Sequence, residues 1–209
     1  MGKLFLTSQF AVVAPMITRI LHDVPKGQKV LFIKTAAEAE EGDKKWLEDD
    51  RNALRRIGLD PVDYTIAGKK ESDFVKDFQG IHYVFISGGN TFYLLEKAQE
   101  SGFIPFVTQF MQGDNVYFGS SAGSAIAGAD IYPLLNLDEE EKAPKLKGYK
   151  GFGFIDLSLL PHWGSEKFKD RYLNRGLAHV YDDKHKLVFL TDNQFLYVEP
   201  DGSYSILEI

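Results

Sequence analysis

Val116-Tyr117-Phe118-Gly119-Ser120-Ser121-Ala122-Gly123 is the stretch on which the reading of this chain turns. Its first residues are apolar and β-prone. Its last open a run of small residues, 122–129, suited to the first turns of a tightly packed helix. Strand, G-x-S-x-G, helix is the layout of a nucleophile elbow. A serine hydroxyl is a weak nucleophile, so it has to be held exposed at a sharp turn beside a base. The flanking glycines permit a strained backbone and leave room for neighbouring chain. The amide N–H groups at a helix start point to where an oxyanion would form. Ser121, between the two glycines, is therefore the candidate nucleophile in preference to Ser120 and Ser124.

Outward from the elbow, apolar runs alternate with helical patterns. Strands are expected at 3–7, 29–33, 62–66, 83–86 and 116–118, and helices at 12–22, 44–57, 72–78, 91–100 and 104–111. Pro15 and Pro105 fall near helix starts, where proline is tolerated. Ser72 is the expected cap of its helix. Such alternation predicts an α/β fold, a mostly parallel sheet with helices on both faces. Beyond residue 130 the pattern changes. Residues 138–150 are charged and glycine-flanked and read as an exposed loop or flap. Strands are expected at 157–161, 187–190, 195–198 and 204–207, the last two as a hairpin around Asp201-Gly202, with a helix at 165–181. No repeat or linker divides the chain, so residues 1–209 are expected to form a single domain.

The composition narrows the function. Of 209 residues, 44% are hydrophobic and 26% charged, and the formal net charge is −6, which argues against nucleic acid or an anionic membrane as partner. With no cysteine there is no disulfide, thiolate metal site or cysteine nucleophile. The amino end shows neither a signal-peptide core nor a myristoylation signal, and no apolar run is long enough to span a membrane. A cytoplasmic protein without metal or organic cofactor is expected.

Ser87-Gly88-Gly89-Asn90-Thr91 is a second glycine turn between a strand and a helix. Paired glycines let backbone amides approach a ligand, and Asn90 can cap the helix. Hydrolase oxyanion holes often take one N–H from the residue after the nucleophile and one from a glycine loop on another strand. Those would be Ala122 and Gly89. A dinucleotide site is excluded because no G-x-G-x-x-G opens either helix. Of the five histidines, His162 alone follows an apolar strand and proline, Leu159-Leu160-Pro161, and precedes a helix; it is the candidate base. His22, His82, His179 and His185 have plainer readings as a helix end, a strand start, a helix interior and a solvated turn. The acid that orients the imidazole is expected at Asp192, at the end of a strand, with Asp138 in the acidic loop as the alternative.

These words together resemble peptidase family S51, the dipeptidase E and cyanophycinase group. They are Phe5-Leu6-Thr7-Ser8, Gly88-Gly89-Asn90-Thr91-Phe92, Gly119-Ser120-Ser121-Ala122-Gly123, Leu160-Pro161-His162 and Asp192-Asn193-Gln194, and they run over essentially the whole chain. The resemblance implies a fold related to class I glutamine amidotransferases. It also implies Ser121 as nucleophile, His162 as base, Gly89 and Ala122 as oxyanion donors, and a substrate contact surface including Gly88, Asn90, Phe168 and Arg171. The expected activity is serine-type hydrolysis of short peptides. An esterase of the same chemistry and a non-catalytic binding or regulatory protein are the alternatives, and a homodimer stays open. One position departs from the family. Members that cleave after aspartate carry arginine where this chain has Phe168, and an aromatic ring cannot pair with a carboxylate as arginine does. Cleavage of Asp-X dipeptides is therefore expected to be weak.

Overall fold

The computed structural model describes residues 1–21 and 26–209. Its strands are β1 (Lys3–Thr7), β2 (Gln28–Ile33), β3 (Leu59–Tyr64), β4 (Tyr83–Ile86), β5 (Val116–Ser120), β6 (Ser158–Leu160), β7 (Leu187–Phe189), β8 (Gln194–Val198) and β9 (Tyr204–Glu208). Seven of them make one sheet in the order β3-β2-β4-β5-β1-β8-β9. The contacts from β3 through to β1 are parallel, and β1–β8 and β8–β9 are antiparallel. Strands β6 and β7 pair with each other in a separate parallel sheet.

The period-two alternation of the strands explains why both faces of the large sheet are covered. Phe5, Phe32, Phe85 and Phe118 point to one face, against helices α1 (Phe10–Leu21) and α3 (Lys45–Arg56). Phe32 and Phe85 stack with nearly parallel rings at 4.8 Å between centroids. Leu4, Leu31, Val84 and Tyr117 point to the other face. There they meet α4 (Glu71–Asp77), α5 (Thr91–Ser101) and α6 (Phe103–Phe110). Burying one such side chain contributes roughly 1.5–3 kcal/mol, so these faces hold most of the fold's stability. Short α2 (Thr35–Glu38), α7 (Ala122–Ala125) and α8 (Glu166–Asp170) complete the α-helices. Among the described residues no helix is long and apolar enough to cross a membrane.

Several boundaries differ from the sequence expectation. The strand expected at 62–66 starts earlier, at Leu59. Asp60 and Pro61 look like turn residues, but β3 is the sheet's edge, where a proline lacking its N–H is tolerated. Helix α4 begins at Glu71 with Lys70, not Ser72, as its cap residue; the Lys70 amide donates to Asp73 Oδ2 at 2.9 Å. The helix expected at 165–181 is α8 followed by a π-helical stretch, Arg171–Gly176, and a 3-10 turn, Leu177–Val180. The helix end expected at His22 lies outside the described residues.

Candidate active site

The elbow is built from the core outward. Thr7 at the end of β1 lies beside β5, and its carbonyl accepts the Ser121 amide at 2.9 Å and the Ser124 hydroxyl at 2.7 Å. The Tyr117 hydroxyl donates to Gly123 O at 2.6 Å. A Cβ on Gly123 would stand 2.0 Å from Ile86 O, so only glycine lets α7 start this close to β4. Held this way, Ser121 has φ 51 and ψ −110, a conformation that non-glycine residues avoid and that costs of order 1–3 kcal/mol. The strain turns the hydroxyl out over the carboxyl ends of the parallel strands, where ligands collect in such sheets.

Around that hydroxyl the structure brings together residues far apart in the chain. Ser121 Oγ lies 2.9 Å from His162 Nε2, and His162 Nδ1 lies 2.7 Å from Asp192 Oδ1. His162 is 9% exposed and has φ 65, a second strained position. Ser120 faces away: its hydroxyl oxygen accepts the Phe10 amide at 3.4 Å, on the α1 side. The turn at Gly88-Gly89 adjoins Ser121, since a Cβ on Gly88 would come 3.2 Å from Ser121 Cβ. Gly89 has φ 136 and no room for a side chain against Ala36. The Gly89 and Ala122 amides donate to no acceptor among the described residues.

A cleft of about 640 Å³ opens here, lined by Ser121, His162, Gly88, Gly89, Phe168 and Arg171 among others. The Phe168 ring is stacked on the His162 imidazole at 4.5 Å and 12°. Arg171 Cζ stands 5.5 Å and Lys167 Nζ 5.6 Å from the centre of the same ring. Arg171 also donates to Leu137 O at 2.9 Å, tying this helical segment to the loop before the flap.

Two sequence expectations need correction. Asn90 does not line the cleft; its side chain caps α5 by accepting the Tyr93 amide at 2.8 Å and holds Glu139 O at 2.8 Å. The same amide cannot serve a helix start and a ligand together. Asp138 is not part of a solvated face. Its Oδ2 accepts the amide and hydroxyl of Thr91, each at 2.8 Å, and burial pushes its carboxyl above the ordinary value. It lines the cleft but bonds α5, whereas Asp192 bonds the imidazole.

Sequence reading missed Ser8, Gln9 and Asp50. Ser8 Oγ donates to Leu190 O at 2.8 Å and accepts the His162 amide at 3.1 Å. Gln9 Nε2 donates to Asp192 Oδ2 at 3.0 Å. Asp50 accepts the Ala11 amide at 3.1 Å, and burial raises its carboxyl from 3.8 to about 7, against hydrogen bonds from Ala11 and Ser120 that lower it. A polar residue directly after a sheet strand was the available signal for Ser8 and Gln9. A polar residue in the apolar face of a helix was the signal for Asp50.

The model of peptidase family S51 matches residues 2–206. An uncharacterised peptidase of Listeria monocytogenes is 27% identical over 198 residues, covering 95% of each chain. Peptidase E of Actinobacillus pleuropneumoniae serotype 5b is 30% identical over 190 residues, covering 90% of this chain and 75% of that protein. Among solved structures, a candidate peptidase E from Listeria monocytogenes EGD-e superposes with a TM-score of 0.90 at 25% identity, covering 100% of this chain and 99% of that one. A peptidase from an acI-B1 actinobacterium shares the fold, with a TM-score of 0.73 at 16% identity over 100% of this chain and 88% of that one.

Proposed function

The chain belongs to peptidase family S51, and from that premise we propose that it is a serine peptidase cleaving short peptides through an acyl-enzyme on Ser121. The observation that carries this reading is the unbroken line Ser121 Oγ, His162 Nε2, His162 Nδ1, Asp192 Oδ1, with spacings of 2.9 and 2.7 Å across the two hydrogen bonds. In the first step Ser121 Oγ bonds to the peptide carbonyl carbon while its proton passes to His162 Nε2. The carbonyl π electrons move to the oxygen, which the amides of Gly89 and Ala122 stabilise. The C–N bond then breaks, and the leaving amine takes the proton from His162 Nε2. A water molecule repeats the sequence on the ester, giving its proton to His162 and freeing Ser121. Asp192 fixes the imidazole tautomer and stabilises the imidazolium in both halves.

Substrate choice follows from the Phe168 face. A ring stacked on the base offers apolar contact beside the reacting carbonyl and no bidentate partner for a carboxylate. An uncharged residue before the scissile bond is preferred and Asp-X dipeptides are poor substrates. Lys167 and Arg171 are the groups that could compensate, and Arg171 is already engaged by Leu137 O. Two measurements test the proposal. Fluorophosphonate should label the wild type and not Ser121→Ala; labelling that survives the substitution overturns the mechanism. A library of X-Leu dipeptides should favour uncharged X; selective cleavage of Asp-Leu overturns the specificity.

A further inference from the structure

Ser121 and its partners stand on different sheets. Ser121 leaves β5 of the seven-stranded sheet, whereas His162 follows β6 and Asp192 follows β7, which pair only with each other. A hydrogen-bonding distance between Ser121 and His162 therefore depends on how the small sheet is docked to the large one. Leu159, Leu160 and Leu190 pack into the core beside Leu4 and Leu6, and the end of β1 adds one polar bond for each partner. Thr7 O accepts the Ser121 amide at 2.9 Å, Ser8 Oγ accepts the His162 amide at 3.1 Å, and Gln9 Nε2 donates to Asp192 Oδ2 at 3.0 Å.

Ser8 has a second bond that makes it a clip. Its hydroxyl proton goes to Leu190 O at 2.8 Å, so one side chain joins the segment bearing His162 to the segment bearing Asp192. The same carbonyl accepts the Trp163 amide at 3.0 Å, and Leu190 N donates back to Leu160 O at 3.0 Å. Ser8 is 1% exposed, so bulk water does not compete for its bonds. The strained φ of 65 at His162 persists only if its surroundings over-determine it, and the amide that Ser8 holds belongs to that very residue.

We propose that Ser8 and Gln9 are positioning residues that hold His162 and Asp192 in register with Ser121. The proposal rests on the reading of Ser121 as nucleophile. Neither side chain touches the reacting atoms. Ser8 sets where the imidazole stands, and Gln9 occupies the Asp192 oxygen that His162 does not use, so the carboxylate cannot rotate away from the ring.

The test is fluorophosphonate labelling of the full chain, resolved into reversible binding and the covalent rate, with thermal midpoints recorded in parallel. Ser8→Ala should slow the covalent step by about 100-fold, the order expected for a displacement near 1 Å, with reversible binding and the midpoint little changed. Ser8→Thr, which restores a hydroxyl, should recover most of the rate. Gln9→Ala, at an exposed side chain, should slow the step by about tenfold and also stands as the deciding variant if Ser8→Ala does not fold. Covalent rates within twofold of wild type in the folded variants would overturn the proposal. So would losses that fall on reversible binding instead. Failure of the underlying reading looks different: the wild type would not label, or Ser121→Ala would.

Discussion

Strand β5 of the large sheet buries every residue from Tyr117 to Ser120, whereas β7 of the small sheet leaves Leu187, Val188 and Phe189 only half-buried. Each sheet delivers part of one site. The large sheet delivers Ser121 in a strained turn braced by stacked phenylalanines and by backbone that admits no side chain at Gly123. The small sheet delivers His162 and Asp192 from strands of three residues each, with β6 buried in the core and β7 half-buried, and directed polar bonds from Ser8 and Gln9 added at their ends. Stability is not uniform through a fold, and regions with few buried apolar contacts open first. The strained Ser121, the proposed nucleophile, sits where packing is dense enough to sustain strain. The proposed base follows the buried strand β6, whereas the proposed acid follows half-buried β7 and is held by hydrogen bonds from Gln9 and His162.

The largest effect that would test this division is at the nucleophile. Ser121→Ala should reduce turnover by about a million-fold, as loss of a triad serine does elsewhere, while leaving the thermal midpoint little changed, because alanine keeps the Cβ that strains this backbone. Asp192→Asn should follow, with a loss of about 10⁴ in kcat from the wrong imidazole tautomer. Any loss in Asp138→Asn should fall on substrate binding and stability rather than on the labelling rate, since its carboxylate bonds Thr91. A larger labelling loss at Asp138 than at Asp192 would reverse the assignment.

The next effect concerns Asp50, whose carboxyl is raised by burial to about 7. Between about pH 4 and 7 the folded protein keeps a proton that the unfolded chain has released. Stability should therefore be highest at the acid end of that window for this group and fall as pH rises through it, by up to about 4 kcal/mol. Asp50→Asn should remove that slope in urea titrations run across the window; an unchanged slope would show that other groups produce it. Smallest in stability, and most direct for the comparison, is a matched pair. Val84→Ala in fully buried β4 should cost about 2–3 kcal/mol and Val188→Ala in β7 about 1 kcal/mol. The cheaper substitution should nonetheless slow fluorophosphonate labelling more. Equal labelling in the two variants would mean that the small sheet does not govern the site.

The large sheet was legible in the sequence because its strands are runs of apolar residues between glycine turns, and period-two alternation is what a sheet covered on both faces requires. The edge strand β3 was misplaced because Asp60 and Pro61 carry no such pattern. The elbow could be read because its chemistry is local: two glycines, a serine and a helix start within five residues. Asp138 misled because charge density over Asp138-Glu139-Glu140-Glu141 suggests solvent, while one carboxylate of the group turns inward to Thr91. Ser8 and Gln9 carried only the weak signal of polar residues after a strand, and their partners lie some 150 to 180 residues away, so their bonds could not be assigned. Local turns were readable; the bonds that bring distant segments into register were not.

Strand β1 precedes the other described strands in the chain, yet it lies between β5 and β8, both much later in the sequence. A nascent chain that has emerged as far as His162 already holds the proposed nucleophile and base, but it lacks β7, Asp192 and β8, and the clip at Ser8 has no Leu190 carbonyl to grip. On the proposed reading, hydrolytic competence therefore waits until the segment through Asp192 is present to complete the site.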